Sequence, residues 1–285
     1  MQVQSILKQY LGEFIMKKFI SLALAALTLG TTLALASCGS AANYVATDIV
    51  SADNEEYGFA ISKTASKKTE LVNAMNKVIG EIAIDDIVDY YTAIEAGETP
   101  SVTLTFANLE DNTGDTLQVY TNAEFPPFDF RDEQNKVVGV DMYIMELVAE
   151  ELNMKVNFND IAFDAVIGKV AIEDNAIGAS GITISDERKE EVDFSNAYFS
   201  TVQSIISKDT EKFSTLEDLK GKKIGVQKGT TGWLLIDEAI KSGVLKDTGA
   251  EVITYDSGAV AYTALKAGKC DAVVIDKLPA NKLVK

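Results

Sequence analysis

From residue 116 onward, apolar positions follow two alternating rhythms. Short runs with every second residue apolar, or wholly apolar, are separated by stretches with apolar residues every three or four positions. The short runs at 117–120, 137–140, 155–158, 176–181, 201–207, 223–226, 252–255 and 272–275 predict strands. The longer ones at 141–152, 163–172, 233–241, 259–267 and 279–284 predict helices, with a capped helical turn at 215–219. Upstream, 44–46 reads as the start of a strand and 57–62 as a buried strand. Helical spacing follows at 67–80, with Leu71, Val72, Met75, Val78 and Ile79 on one face, and again at 84–96. Residues 97–114 break the rhythm with Pro100, Asn112 and Gly114 around an alternating Val102, Leu104, Phe106; they predict a linker carrying one extra edge strand. Strands that alternate with helices imply parallel sheets covered on both faces. There are two such runs, 117–181 and 223–284, so two α/β lobes are expected.

Composition narrows the chemistry. The 285 residues are 47% hydrophobic and 24% charged, as in a globular chain. The formal net charge of -17 argues against a nucleic-acid partner, which needs a basic surface. The chain has no histidine. That excludes a Ser-His-Asp or Cys-His nucleophile and disfavours a typical zinc site, and neither metal nor cofactor is expected. Two cysteines, Cys38 and Cys270, make no disulfide framework. Cys270 reads as a small buried apolar residue.

The front of the chain has its own pattern. Met16-Lys17-Lys18 is basic, 19–36 is mostly apolar, and Leu35-Ala36-Ser37-Cys38 closes the run. This is the layout of a secretory signal peptide, with Met16 the expected true start and 1–37 the leader. An uncut signal-anchor helix is the alternative. The run LASC resembles the lipobox of bacterial lipoproteins, which implies a lipid on Cys38 and a tether over 38–43. No later stretch is apolar over the ~20 residues a membrane span needs.

Three places carry candidate chemistry. Residues 180–195 hold Ser180-Gly181, Thr183, Ser185 and Arg188. A guanidinium beside backbone donors and hydroxyls suits a small carboxylate; the plainer reading pairs Arg188 with Glu187 or Glu191 on a solvated turn. Gly229-Thr230-Thr231-Gly232 joins a strand to a helix, where free backbone donors attract an anion, or where the tetrapeptide simply caps the helix. Asp276 follows the strand at 272–275, at the strand end where open α/β sheets bind ligands; it could hold an ammonium or cap the next helix. Phe125 lies beside Pro126-Pro127 and Phe163 opens a helix; they suit pocket walls or the core, as does Phe128.

Together these runs pass from suggestion to resemblance. From residue 117 to 285 the chain resembles the bacterial extracellular solute-binding proteins for polar amino acids, the family 3 receptor subunits of ABC importers. The matching runs are TNAEFPPFDF, GVDMYIMELVAEELNM, SGITISDERKEEVDFSNAYF, LEDLKGKKIGVQKGTTG and LKAGKCDAVVIDKLPA. The resemblance implies a type II periplasmic-binding-protein fold, with two α/β lobes joined by two hinge strands that close over one amino acid. It implies that Arg188, helped by Gly181, Thr183 and the amides of Thr230 and Thr231, takes the ligand α-carboxylate. Asp276 would take the α-ammonium, and Phe125 and Phe163 would form the walls. Asn122, Glu124 and Asp141 would read the side chain, with Gln227 also in reach. The acidic candidates lean the ligand towards arginine, lysine or glutamine.

The order of segments departs from the family pattern. The second hinge strand and two helices that normally follow the last lobe stand in front here, as EEYGFAIS at 55–62 and the helical stretch after it. A circular permutation is expected. The first lobe would then be 57–205, made of a moved segment 57–95, a joining linker 96–115 and 116–205. The second lobe would be 206–285 plus 44–56. About twenty linker residues can reach up to ~65 Å. A fragment of a tandem duplication is the rival. Under the permutation, 57–62 should pair with 202–207 as the second hinge strand.

The expected protein is therefore a monomeric binding lipoprotein on the outer face of the bacterial membrane, partnered by permease subunits. A sensory ligand-binding module and a dehydratase-like enzyme on the same fold are the alternatives.

Overall fold

The computed structural model describes residues 42–50 and 53–285. The leader, the lipobox cysteine Cys38 and most of the tether lie outside the described residues.

Two five-stranded sheets organise residues 43–285. The chain enters with β1 (Tyr44–Asp48), then β2 (Glu55–Tyr57) and β3 (Ala60–Ser62). Helices α1 (Lys68–Glu81) and α2 (Ile84–Glu95) follow, then β4 (Thr116–Thr121), the hairpin β5 (Phe130–Arg131) and β6 (Val137–Val138), and α3 (Val140–Glu151). Next come β7 (Lys155–Asp160), α4 (Phe163–Ile172), β8 (Ile177–Gly178), the short α5 (Asp186–Glu191), β9 (Val192–Phe194), β10 (Phe199–Thr201) and β11 (Gln203–Lys208). The remainder is β12 (Lys223–Gln227), α6 (Thr231–Lys241), β13 (Glu251–Tyr255), α7 (Gly258–Lys266), β14 (Ala272–Asp276) and α8 (Lys277–Leu283).

The first sheet runs β7-β4-β8-β3-β9. Its β4 is parallel to β7 and β8, whereas β3 is antiparallel to both its neighbours. The second sheet runs β1-β11-β14-β12-β13, with β12 parallel to β13 and β14, and β11 antiparallel to β14 and β1. Strand β14 is apolar up to its last residue and buried throughout, as a parallel strand covered on both faces must be. Helix α3 buries Met142, Ile144, Met145 and Val148 against the first sheet's core.

The chain passes between the sheets twice, through β2 and through β10. These two pair antiparallel as a separate ribbon, Tyr57 opposite Phe199 and Glu55 opposite Thr201. The sequence placed this pairing at 57–62 with 202–207; of those residues only Tyr57 joins the ribbon, opposite Phe199, while 60–62 pair with β8 and β9 instead. The reason is local. At Gly58 and Phe59 the strand leaves the ladder: the Gly58 amide donates to Ile182 and the Phe59 amide to the Ser195 hydroxyl. A Cβ on Gly58 would sit 2.8 Å from the end of the Ile184 side chain, which would have to shift to admit it. The expected single strand at 57–62 is thereby split into a hinge part and a sheet part. The strand at 201–207 is likewise interrupted at Val202. All of β11 lies in the second sheet, so that sheet begins at Gln203 and the expected lobe boundary at 205 falls inside it.

The edge strand expected at 102–106 does not form. Instead Phe106 packs edge-on against Tyr90 and Tyr143, and the Tyr143 hydroxyl donates to the Thr105 carbonyl. The rest of this segment is pinned by Asn112 to the carbonyls of Ala149 and Met154. Side-chain anchoring leaves no sheet edge for it to join. Helix α8 starts two residues earlier than expected, directly after Asp276.

Candidate functional site

Strand ends converge where the two sheets face each other. In the first lobe β4 ends at Thr121 and delivers Asn122; β8 ends at Gly178 and delivers Ala179-Ser180-Gly181. The Ser180 hydroxyl accepts from the Asn122 amide at 3.0 Å, which locks these two strand ends together. Gly181 has φ 54, and a Cβ there would lie 2.7 Å from the Phe125 ring. Glycine thus satisfies both the turn and the aromatic wall. Ser185 caps α5 by accepting from the Arg188 amide. That cap aims the Arg188 side chain back across the turn.

Arg188 is only 7% exposed. Its guanidinium donates to the Thr183 carbonyl at 2.9 Å and, across the cleft, to the Gly229 carbonyl at 3.1 Å. The Phe163 ring lies 5.5 Å from its central carbon. Neither Glu187 nor Glu191 bonds it, so the solvated-turn reading does not hold. Burial pulls its pKa below the ordinary guanidinium value.

The second lobe answers with β12, whose last residue Gln227 donates to Asn122 Oδ1 across the cleft at 2.9 Å. Gly229 has φ 79, and its Cβ would meet Asp164 of the other lobe at 2.7 Å. Thr230 caps α6 by accepting from the Trp233 amide, so Thr231 opens the helix two residues before the expected start. The helix N-terminus therefore points at the site with free donors. Asp276 ends β14 and is 6% exposed. It begins α8 without capping it by its side chain; its Oδ1 instead accepts from the Tyr57 hydroxyl at 2.6 Å. Burial first, and the nearby Glu55 second, push its pKa up to about 7.

The cavity between the lobes is about 20 Å³, room for about one water molecule. Arg188, Thr183, Gly181, Phe125 and Asn122 line it from the first lobe, together with Phe163. Gln227, Thr230, Thr231 and Asp276 line it from the second. Ser180, which the sequence grouped with this turn without giving it a part in binding, lines it too. Two expected residues do not. Glu124 is exposed to solvent away from the cavity. Asp141 is fully buried beneath the turn, where it accepts from the Gly181 amide at 2.8 Å and the Tyr198 hydroxyl at 2.6 Å. It supports the Gly181 turn from below rather than facing a guest. Burial raises its pKa to about 7, and the buried Asp129 beside it is pushed up as well. Phe128 goes to the core, in contact with Tyr57 and Phe199. Tyr57 and Glu55 reach the site from the hinge; the sequence placed them in the hinge run EEYGFAIS but gave them no part in the site. Cys270 is buried, as expected. Among the described residues there is no acidic or thiol cluster that could hold a metal, and no helix is long and apolar enough to cross a membrane.

A guanidinium from one lobe faces a helix N-terminus and a carboxylate from the other across one aromatic-walled cavity. The profile of the bacterial extracellular solute-binding proteins, family 3, matches residues 117–251. The chain belongs to that family. Its members are extracellular solute-binding proteins. An ancestral arginine-binding protein, solved with arginine bound, is 40% identical, with a TM-score of 0.53 over 59% of this chain and 73% of that one. The L-cystine-binding protein of Escherichia coli K12 is 33% identical over 172 residues, 60% of this chain and 62% of that protein. The L-arginine-binding protein of Pseudomonas aeruginosa is 32% identical over 163 residues, 57% and 61% respectively. The chain thus spans somewhat over three fifths of the length of these curated relatives. The two-lobed architecture is that of the type II periplasmic amino acid-binding proteins.

Proposed function

We propose that this chain binds one free polar L-amino acid by hinge closure and delivers it to the permease subunits of an ABC importer. Arginine, lysine and glutamine are the leading candidates. One observation carries the reading: Arg188 and Asp276, both buried, border one cavity from opposite lobes. With the lobes parted from the present cavity of about 20 Å³, a zwitterion would place its carboxylate on Arg188 and the Thr230-Thr231 amides and its ammonium on Asp276. Its differential affinity for the closed state would drive closure about the β2–β10 ribbon. The flat faces of Phe125 and Phe163 suit a guanidinium or an aliphatic stem, and the amides of Asn122 and Gln227 suit a polar end group. Two of the relatives above carry arginine in their names.

We place the protein, as a monomer, on the outer face of the bacterial membrane, held by a lipid on Cys38. We further read the segment order as a circular permutation, with 43–95 moved in front of 116–285. Strand β3 lies inside the first sheet between β8 and β9, and β1 edges the second, which fits segments displaced in order but not in space.

A thermal-shift screen across the amino acids tests the ligand class, because binding raises apparent stability by mass action. Basic amino acids or glutamine should give the largest shifts; a response to aliphatic amino acids alone would overturn that preference. Removing one partner of a buried charged pair costs about 2–5 kcal/mol. Arg188→Ala should therefore weaken binding at least ~30-fold by calorimetry; near-normal affinity would sink the site assignment.

A further inference from the structure

Glu55 stands on β2 in the hinge ribbon, and its carboxylate joins three elements. Oε2 accepts from the Thr183 hydroxyl of the first lobe at 2.7 Å and from the Thr231 hydroxyl of the second at 2.6 Å. Oε1 accepts from Gln203 Nε2 at 3.0 Å, at the start of β11. Gln203 Nε2 also donates to Thr231 Oγ1 at 3.3 Å. Both threonines line the cavity, whereas Glu55 stands behind them. The carboxylate therefore lies outside the space for a guest, yet ties its two walls to the strand about which they move. Hydroxyl donors this close to a carboxylate make charge-assisted bonds, roughly twice as strong as neutral ones.

The geometry points to Glu55 as the positioning residue for cleft closure: it bridges Thr183 and Thr231 only when the lobes are shut, and so sets the fraction of protein in the closed form. The two threonines sit on different lobes, so opening must break at least one of the two bonds. Because Glu55 occupies both hydroxyls, it leaves the Arg188 guanidinium and the amide of Thr231, the first residue of α6, for a guest's carboxylate. The consequence for affinity rests on the proposed amino acid binding; the effect on closure does not. An apparent dissociation constant is the intrinsic one divided by the competent fraction. Loss of the bridge should therefore weaken binding through the closed fraction alone.

Single-molecule FRET between dyes on the two lobes, with and without amino acid, tests this on Glu55→Ala, Glu55→Gln and Thr231→Val. Without ligand, Glu55→Ala should lose most of the closed population shown by the wild type. Its affinity should fall about tenfold, the loss expected of one charge-assisted bond, mainly through faster release. Glu55→Gln should recover part of both, since its amide oxygen can still accept one hydroxyl, and Thr231→Val should reproduce part of the loss. Should Glu55→Ala fail to fold by circular dichroism, the other two variants decide. A closed fraction unchanged in the folded variants would overturn the proposal, as would a wild type with no closed population in the absence of ligand. If the wild type binds no amino acid, the proposed function fails, and the ligand-free closed fractions still decide the part played by Glu55.

Discussion

Asp276 carries an unusual burden for a carboxylate. It is buried and close to Glu55, which together raise its pKa to about 7 from an ordinary value of 3.8. A carboxylate raised in this way holds its proton in the folded form between about pH 4 and 7. Its ionisation therefore costs stability as pH rises through that window, while below it the cost is absent. A guest ammonium reverses the preference by favouring the charged form. Binding at pH 6 should then release most of one proton, and affinity should climb with pH up to about 7 and level off above. Calorimetry in two buffers of different ionisation enthalpy reads this directly; Asp276→Asn should abolish the release. No release by the wild type would mean that Asp276 is already ionised in the free protein. At this scale the sequence showed the residues that stand at strand ends and turns. Arg188, Asp276 and the glycine turns lie where chain direction alone aims them at a cleft. It failed where side-chain direction decides. Glu124 is next to the lining Phe125 and Asp141 lies in the first turn of α3, yet one is exposed to solvent and the other is buried beneath the Gly181 turn. Glu55 and Tyr57 were read only as hinge residues, because their part in the site comes from partners more than a hundred positions away.

The elements were legible in proportion to their regularity. Helices α1, α2 and α4 fall within one or two residues of the periodic stretches that predicted them. The buried parallel strands β4, β12 and β14 were equally plain from their apolar runs. The hinge was harder. Its strands are three residues each, and each continues through one or two residues into a strand of a lobe, β3 or β11. Hydrophobicity cannot mark such a break, which depends on amides turning to Ile182 and to the Ser195 hydroxyl. The segment at 97–114 misled for the opposite reason: alternation at 102–106 mimics a strand, while anchoring by Phe106 and Asn112 holds the chain off any sheet edge. The order of elements is itself testable. A rearranged gene that places residues 43–95 after residue 285 should give a protein with one cooperative unfolding transition and unchanged ligand affinity. Failure of that protein to fold would count against the permutation, because every strand pairing except the joins is retained.

Across the whole molecule, two sheets meet through a narrow ribbon and a set of polar contacts. Arg188 to Gly229, Gln227 to Asn122 and the Lys228–Asp164 ion pair all cross the cleft. A Glu95–Lys282 pair joins α2 to α8 as well. The two ion pairs are partly exposed, and such pairs contribute about 0–1 kcal/mol each. The buried contacts of Arg188 and Gln227 are shielded from water and fixed in geometry, so they outweigh the ion pairs. The formal net charge of the chain, -17, favours solubility. In the proposed clamp both charged ends of a free amino acid are held, the carboxylate by Arg188 and the Thr230-Thr231 amides and the ammonium by Asp276. The most direct measurement is calorimetric titration of the wild-type protein with its best amino acid, then with that compound's α-amide and its Nα-acetyl derivative. The clamp predicts that each blocked form loses at least ~30-fold in affinity, the lower end of the cost of unpairing a buried charge. Equal binding of the free and blocked forms would contradict it.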